Sequence, residues 1–256
     1  MRERIVTNSV NHIVVITGAS SGIGLAVAKK AALNEQCVVI MVAKNEEKLL
    51  TAKRQLVAAG YLNVEHFTAD ITINEQVTQL FKFIQKIKLP VHGFVHCAGT
   101  MYESPLLMTR DHLVDEQYHQ HVKSAIMLAQ GISKIMARNK SGSIVFISSV
   151  VAQQGSRGQS VYAAMKSALH GLTASLAAEL GAMNIRVNAV APGVIDTALV
   201  AHISDEKKQQ LIKNTALGRI GQPEEVADVI NFLVAEESRF ITGQVIHVDG
   251  GLKLGL

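Results

Sequence analysis

Residues 13–24 read IVVITGASSGIG, an apolar run followed directly by a glycine-rich turn. The run IVVIT is apolar throughout, which is typical of a strand covered on both faces of a parallel sheet. Glycines in the turn let the backbone approach a phosphate closely, and the N-terminus of the helix expected next carries a partial positive charge. This order favours a dinucleotide site, with a purely structural turn as the alternative. The expected cofactor contacts here are Gly18, Ser20, Ser21, Gly22, Ile23 and Gly24.

Short apolar runs alternate with longer helical segments along the rest of the chain. The further candidate strands are 37–43, 64–69, 93–99, 142–148, 185–193 and 243–248. Strand–helix–strand units of this length form right-handed crossovers and a parallel sheet. We therefore predict one α/β domain over residues 1–256, a doubly wound parallel sheet of about seven strands with helices on both faces. Residues 194–222 lack a candidate strand and are predicted to form a flap over the site.

The composition excludes several classes of protein. Hydrophobic residues make up 48% of the chain and charged residues 18%, which suits a large buried core. The net charge is +4 without a basic block, and no apolar run is long enough to span a membrane. We therefore expect a cytoplasmic protein with no nucleic-acid and no membrane partner. Cys37 and Cys97 are interpreted as buried free thiols, and the histidine spacing predicts no metal site.

Residues 149–166 hold a serine, a tyrosine and a lysine in an order that suits proton transfer. Tyr162 and Lys166 are four positions apart and share one face of a helix, so the ammonium charge should lower the pKa of the phenol. Such a tyrosine can exchange a proton with a carbonyl or alcohol oxygen. Ser149 follows the apolar run IVFIS, at an expected strand tip, where its hydroxyl could hold the same oxygen. An ordinary, partly buried helix is the alternative.

The end of the second candidate strand is where the adenosine ribose of a dinucleotide would lie. An acid at this position accepts a hydrogen bond from the 2′-hydroxyl of NAD, whereas a base accommodates the 2′-phosphate of NADP. Lys44 stands here, so the sequence favours NADP(H) over NAD(H), with a merely solvated lysine as the alternative. Asp70 and Ile71, after the third candidate strand, are placed for the adenine edge.

Together these motifs resemble the short-chain dehydrogenase/reductase family over nearly the whole chain. The resemblance rests on TGASSGIG, Ser149, Tyr162 with Lys166, and Ala191-Pro192-Gly193. It implies a Rossmann-type oxidoreductase in which Tyr162 donates the proton, Lys166 lowers the tyrosine pKa and binds the nicotinamide ribose, and Ser149 holds the substrate carbonyl. The further cofactor contacts that it implies are Cys97, Ala98, Gly99, Tyr162, Lys166, Pro192, Gly193, the Ile195 backbone and Thr197.

Within this family the chain is similar to the 3-oxoacyl-[acyl-carrier-protein] reductases of fatty acid biosynthesis, for example over SVVAQQGSRGQSVYAAMKSALHG. The similarity implies NADPH-dependent reduction of a 3-oxoacyl thioester and a homotetramer. It also implies an acidic acyl carrier protein as partner, with Arg138 and Lys140 as candidate docking bases. A more specialised lipid or polyketide pathway is equally open. A dehydrogenase of a sugar, steroid or other small alcohol and a non-catalytic dinucleotide-binding subunit are the alternatives.

Two segments depart from the family pattern. The family has Asn-Asn-Ala-Gly after the fourth strand, where this chain has His96, Cys97, Ala98 and Gly99. In the single long helix expected over 111–138, His121 stands where the family has an asparagine that continues the proton relay from the lysine through a water. A histidine can hold a water and relay protons, so His121 is a candidate catalytic residue. The alternative is a core histidine with satisfied hydrogen bonds.

Overall fold

The computed structural model describes residues 10–198, 200 and 203–253. Within them, seven strands form one parallel sheet: β1 (His12–Thr17), β2 (Cys37–Ala43), β3 (Val64–Thr68), β4 (Val91–His96), β5 (Gly142–Ile147), β6 (Ile185–Pro192) and β7 (Val245–Val248). Their order in the sheet is β3-β2-β1-β4-β5-β6-β7. The chain direction across the sheet therefore reverses between β1 and β4, and ligands of doubly wound folds bind at the carboxyl edge of such a switch point.

Helices cover both faces of this sheet. The helices are α1 (Gly22–Ala31), α2 (Glu46–Ala58), α3 (Asn74–Ile87), α4 (Asp111–Tyr118), α5 (Ser124–Met136), α6 (Val151–Gln154), α7 (Ser160–Leu180), α8 (Asp205–Lys213) and α9 (Pro223–Val234). Buried residues of α1, α2 and α9 form one core with the sheet, and those of α3, α5 and α7 form the other. The predicted doubly wound α/β fold is thereby confirmed.

Local sequence explains most of these elements. All seven residues of β2 are buried, as expected for a strand covered on both faces. In α3 the buried residues Val77, Leu80 and Ile84 follow the helical period and lie on one face. Helix α9 begins with Pro223, and a capping box joins the backbone and side chains of Gln222 and Glu225.

The largest shift in strand bounds is in β4, which was predicted to reach residue 99 and ends at His96. His96 pairs with Thr17, the last residue of β1. The following residue, Gly18, has a φ of 69°, which turns β1 out of the sheet. The segment after His96 therefore loses its neighbouring strand and becomes part of the site.

The predicted long helix over 111–138 is confirmed as one continuous helical run from Asp111 to Met136, and a π-helical turn (His119–Lys123) inside it joins α4 to α5. The Ser124 N–H bonds to the His119 carbonyl, five residues back, instead of the Gln120 carbonyl four residues back. The Ser124 hydroxyl donates to the Gln120 carbonyl at 2.6 Å. The serine side chain thus bonds to the carbonyl that its own N–H would use in an α-helix. Single π-helical turns occur often at functional sites.

The predicted flap (194–222) contains α8, and residues 199, 201 and 202 of it lie outside the described residues. Val194, Ile203 and Lys207 of this segment line the cleft described below. That it moves during function stays a prediction. In the part of the chain that the structure describes, no helix is long and apolar enough to cross a bilayer.

Candidate active site

The predicted site residues follow the carboxyl ends of parallel strands and therefore meet at one edge of the sheet. A cleft of about 1000 Å³, counting its open mouth, lies at this edge. Of the predicted residues it is lined by Ile23, Cys97, Gly99, His121, Ser149, Tyr162, Lys166, Pro192, Gly193, Ile195 and Thr197. The remaining predicted cofactor residues are not part of its lining: Gly18, Ser20, Ser21, Gly22, Gly24, Lys44, Asp70, Ile71 and Ala98. Most of these follow β1, β2 and β3, along the same edge.

Tyr162 and Lys166 lie on α7 and are 7% and 5% exposed, and the Lys166 Nζ is 5.7 Å from the centre of the tyrosine ring. Burial raises the pKa of Tyr162 to about 12, and a hydrogen bond with Ser149 acts in the opposite direction. The sequence predicts that the charge of Lys166 lowers this pKa. Burial instead sets the direction of the shift in the Tyr162 pKa, because the lost hydration of the phenolate outweighs the stabilisation from the hydrogen bond. Tyr162 therefore keeps its proton at neutral pH.

Lys166 is a buried base with a carbonyl partner. Its Nζ donates to the Ile147 carbonyl at 2.7 Å. Burial lowers the pKa of Lys166 to about 8, since the charged form is the one that loses hydration. Lys166 is therefore close to half charged slightly above neutral pH.

His121 lies in the π-helical turn and is 1% exposed. Its Nε2 is 2.7 Å from the Thr100 carbonyl, and its ring meets the Tyr162 ring edge to face, with centres 5.5 Å apart. Among the described residues, its buried Nδ1 has no hydrogen-bond partner. Burial and, to a smaller extent, the charge of Lys166 lower the pKa of His121 to about 3. The ring is neutral, and because a carbonyl only accepts, the proton is on Nε2 and Nδ1 is a free acceptor.

Gly99 brings the backbone after β4 against this histidine. A Cβ at Gly99 would lie 2.6 Å from Cε1 of His121 and 3.6 Å from the Nζ of Lys166. No side chain fits at this point, which explains why a glycine is needed here. Gly99, His121 and Lys166 thus form one contiguous wall of the cleft.

The residues that replace the family's asparagines have different surroundings. His96 is 2% exposed, with Nδ1 2.9 Å from the Thr17 hydroxyl and Nε2 3.4 Å from the Ser124 hydroxyl. The backbone N–H of Cys97 donates to the Thr17 carbonyl at 3.2 Å. Burial raises the pKa of the Cys97 thiol to about 12, so it is not a thiolate. His96 and the Cys97 backbone thus both bond to Thr17, at the end of β1.

The glycine-rich turn fits a pyrophosphate. A Cβ at Gly18 would lie 2.7 Å from the Ala98 backbone nitrogen, so only glycine allows the two segments to approach. Within the described chain, no side chain caps α1, and its first turn holds no acidic residue. The first N–H groups of α1 are therefore available to an anionic ligand. In contrast, the Asn45 side chain caps α2 by accepting from the Lys48 N–H.

Lys44 and Asp70 are the residues predicted to lie at the adenosine end of the site. The Asp70 carboxylate accepts from the backbone N–H and the hydroxyl of Thr72, at 2.9 Å and 2.7 Å. Partial burial opposes ionisation, but these hydrogen bonds and the charge of Lys44 together lower the pKa of Asp70. Lys44 itself is exposed after β2. The two side chains are thus close enough to interact while Lys44 remains open to a phosphate.

Sequence reasoning missed several residues that line the cleft. Glu103 accepts from the Gln159 side chain and forms an ion pair with Lys207, at 3.5 Å, so that it joins three segments. Leu252, near the described C-terminus, also lines the cleft. Gln159 could have been found, because it lies three positions before Tyr162. Glu103 and Leu252 lie in irregular segments with no periodic signal.

The candidate docking bases lie elsewhere. Arg138 and Lys140 are exposed between α5 and β5. Because α5 runs back from the carboxyl ends of the strands to the start of β5, both residues lie at the edge of the sheet opposite the cleft. They are therefore not part of the wall of this chain's own site.

A family model described as "Enoyl-(Acyl carrier protein) reductase" matches residues 18–253. The 3-oxoacyl-[acyl-carrier-protein] reductase FabG of Chlamydia muridarum is 36% identical, with 95% of this chain and 98% of that protein aligned. The protein of the same name from Thermotoga maritima is 35% identical over 94% of this chain and 98% of that protein. This chain belongs to the short-chain dehydrogenase/reductase family. Like the rest of this family it is an oxidoreductase, and the expected resemblance is confirmed.

Solved structures of short-chain dehydrogenases/reductases agree with this assignment. A short-chain type dehydrogenase/reductase from Mycobacterium ulcerans superposes with a TM-score of 0.89 at 33% identity, covering 96% of this chain and 90% of that one. An actinorhodin polyketide ketoreductase with NADPH gives a TM-score of 0.89 at 27% identity, covering 94% and 97%. The fold and the use of a nicotinamide dinucleotide are therefore properties of this chain's family.

Proposed function

We propose that this protein reduces a 3-oxoacyl thioester to the 3-hydroxyacyl thioester with NADPH. The observation that carries this proposal is the meeting of Ser149, Tyr162 and Lys166 on the wall of one cleft. Apolar side chains suited to an acyl chain line the same cleft, namely Met101, Val151, Ile203, Leu211 and Leu252. The names of the relatives support the same substrate class.

The proposed roles follow from the protonation states. When bound, NADPH supplies the hydride that reduces the carbonyl carbon. Tyr162, with a pKa of about 12, carries a proton at neutral pH and donates it to the carbonyl oxygen. Ser149, which is hydrogen-bonded to Tyr162, holds that oxygen in place. Lys166 keeps a positive charge beside the reacting oxygen up to about pH 8 and is the proposed partner of the nicotinamide ribose.

His121 is proposed to complete the path along which Tyr162 and Lys166 regain a proton. Its buried Nδ1 is a free acceptor on the same wall as Lys166. Such an atom can hold a water against the lysine, as the family's asparagine does. The low pKa of His121 argues that it accepts a hydrogen bond and does not itself carry the proton.

NADPH is proposed in preference to NADH because of Lys44. The residue that follows β2 faces the adenosine ribose in this fold, and here it is an exposed base. A lysine at this point attracts the 2′-phosphate of NADP, whereas an acid would be needed to favour NAD. Asp70 and Ile71 are proposed to contact the adenine.

An acidic acyl carrier protein is the proposed source of the thioester. Arg138 and Lys140 lie at the edge of the sheet opposite the cleft, so a carrier docked on them would lie away from this chain's own cleft. The homotetramer that the resemblance implies stays a prediction.

The test is the consumption of NADPH or NADH with acetoacetyl and longer 3-oxoacyl thioesters, with matched 2-enoyl thioesters as the comparison. We expect turnover of the 3-oxo compounds and a loss of about 100-fold or more in kcat for Tyr162→Phe, which removes the acid alone. The dissociation constant of NADPH should change far less than kcat, because this variant keeps all the other expected cofactor contacts. Failure to turn over any 3-oxoacyl thioester contradicts the proposal, and reduction of the enoyl compounds alone would identify a different reaction.

A further inference from the structure

His96 joins two parts of the site through its two ring nitrogens. On one side its Nδ1 is 2.9 Å from the hydroxyl of Thr17, at the start of the phosphate-binding turn. On the other side its Nε2 is 3.4 Å from the hydroxyl of Ser124, at the end of the π-helical turn. An asparagine, the family residue at this position, is shorter and has one amide group to offer. The imidazole therefore makes a bridge that depends on the residue found in this chain.

The direction of each hydrogen bond is fixed by the outer partners. The Ser124 hydroxyl donates its single proton to the Gln120 carbonyl, because a carbonyl oxygen only accepts. Ser124 can then only accept from His96, so Nε2 carries a proton. Burial, with a smaller effect of the Lys166 charge, lowers the pKa of His96 to about 3, so the ring is neutral. The Nδ1 of His96 is then unprotonated and accepts from the Thr17 hydroxyl. The oxygen of this hydroxyl in turn accepts from the Ala98 N–H at 3.3 Å.

Ser124 also makes two hydrogen bonds at the end of the π-helical turn. Its N–H reaches the His119 carbonyl, and its hydroxyl takes the Gln120 carbonyl that an α-helix would have used. The Nε2 of His96, at 3.4 Å, is a second partner of this hydroxyl. The turn determines where the His121 ring lies, because His121 is in its middle. His96 is thus connected to His121, on the wall of the cleft, through the hydroxyl of Ser124.

Resting on the function proposed above, we infer that His96 is a positioning residue for the active site. It holds the Ser124 hydroxyl, and through it the π-helical turn, so that His121 stays against Gly99, Lys166 and Tyr162. It does not touch the substrate. The same imidazole ring also bonds to Thr17. One buried set of hydrogen bonds therefore connects the glycine-rich turn to the π-helical turn that holds His121.

The kinetic test compares His96→Asn and Ser124→Ala with a control variant at another serine of α5, the helix that begins at Ser124. Ser133→Ala removes a buried hydroxyl of α5 that has no hydrogen-bond partner among the described residues. We expect His96→Asn and Ser124→Ala each to lower kcat by about fivefold and by no more than His121→Phe does, because displacement of a catalytic group by about 1 Å costs up to about 100-fold. KM for the thioester should change by less than about twofold, since neither residue contacts it. Ser133→Ala should match the wild type.

A double variant separates positioning from a general loss of stability. If both residues act through one hydroxyl, His96→Asn with Ser124→Ala should lose about as much kcat as either alone. Losses that multiply, or losses that Ser133→Ala shares, would overturn the inference. Thermal unfolding of all four variants shows whether each is folded at the assay temperature.

The tautomer of His96 gives a test that needs neither variants nor turnover. Nitrogen NMR of the wild-type protein with isotope-labelled histidine should show His96 neutral, protonated at Nε2, and not titrating between weakly acidic and weakly alkaline pH. An Nδ1-protonated or titrating His96 would overturn the inference even if the 3-oxoacyl thioester is a substrate. The expected tautomer would stand even if the proposed substrate failed.

Discussion

Replacing His121 tests whether the imidazole carries a proton or only accepts a hydrogen bond. Because the Nε2 proton is donated to the Thr100 carbonyl, the Nδ1 atom is the one that faces the cleft wall with no partner in the described chain. The two variants are His121→Asn, which restores the family residue, and His121→Ala, which removes the polar group. His121→Phe serves as a control that keeps a ring against Tyr162.

The magnitude follows from the pKa of about 3 for His121. Protonating the ring near neutral pH means working about four pH units above this pKa, which costs about 5 kcal/mol at about 1.4 kcal/mol per unit. A route through the imidazolium would therefore be slowed by about 10⁴-fold. A role as acceptor for a water involves no such cost, and losing one buried hydrogen-bond partner costs about 1–3 kcal/mol, or about 5- to 150-fold.

We therefore expect His121→Asn to keep kcat within about threefold, because an amide oxygen also accepts, and His121→Phe to lose at least about fivefold. His121→Ala should lie between them, since a water can enter the space left by the ring. The assay is NADPH consumption at saturating 3-oxoacyl thioester from weakly acidic to alkaline pH. The relay role is refuted if Asn and Ala variants both keep wild-type turnover at every pH. An ionisation near the usual histidine pKa that disappears in His121→Asn would refute the neutral ring.

Two further predictions concern Lys166 and Lys44. Burial lowers the pKa of Lys166 from 10.5 to about 8, so kcat/KM for reduction should fall above about pH 8 as the folded protein loses this charge. Between these two pKa values the unfolded chain binds more protons than the folded protein, so the free energy of unfolding should rise with pH over this window. A kcat/KM that stays level to well above pH 8 would contradict the role of Lys166. Lys44→Ala should raise KM for NADPH by about tenfold, the equivalent of one charge-assisted hydrogen bond of about 1.4 kcal/mol, and leave KM for NADH unchanged. Equal effects on both cofactors would show that Lys44 does not contact the 2′-phosphate.

Much of the fold could be predicted from local sequence. The apolar runs of β1 and β2 and the glycine-rich turn after Thr17 determine where the chain forms a parallel sheet and where it turns into α1. The spacing of Tyr162 and Lys166 places both side chains on one helix face, whatever packs around them. These features depend on residues that are neighbours in the chain, so the sequence alone was enough to predict them.

The chemistry of the site depended on residues that are distant in the chain. The predicted lowering of the Tyr162 pKa by Lys166 was wrong in direction, because the burial that raises it comes from the folded surroundings. The π-helical turn, the free Nδ1 of His121 and the bridge from Thr17 through His96 to Ser124 have no local signature. They arise because packing removes water from polar groups, which must then find partners on other elements. The sequence by itself determined the sheet, the phosphate turn and the Tyr162–Lys166 spacing, whereas only the tertiary structure decided the protonation states around them.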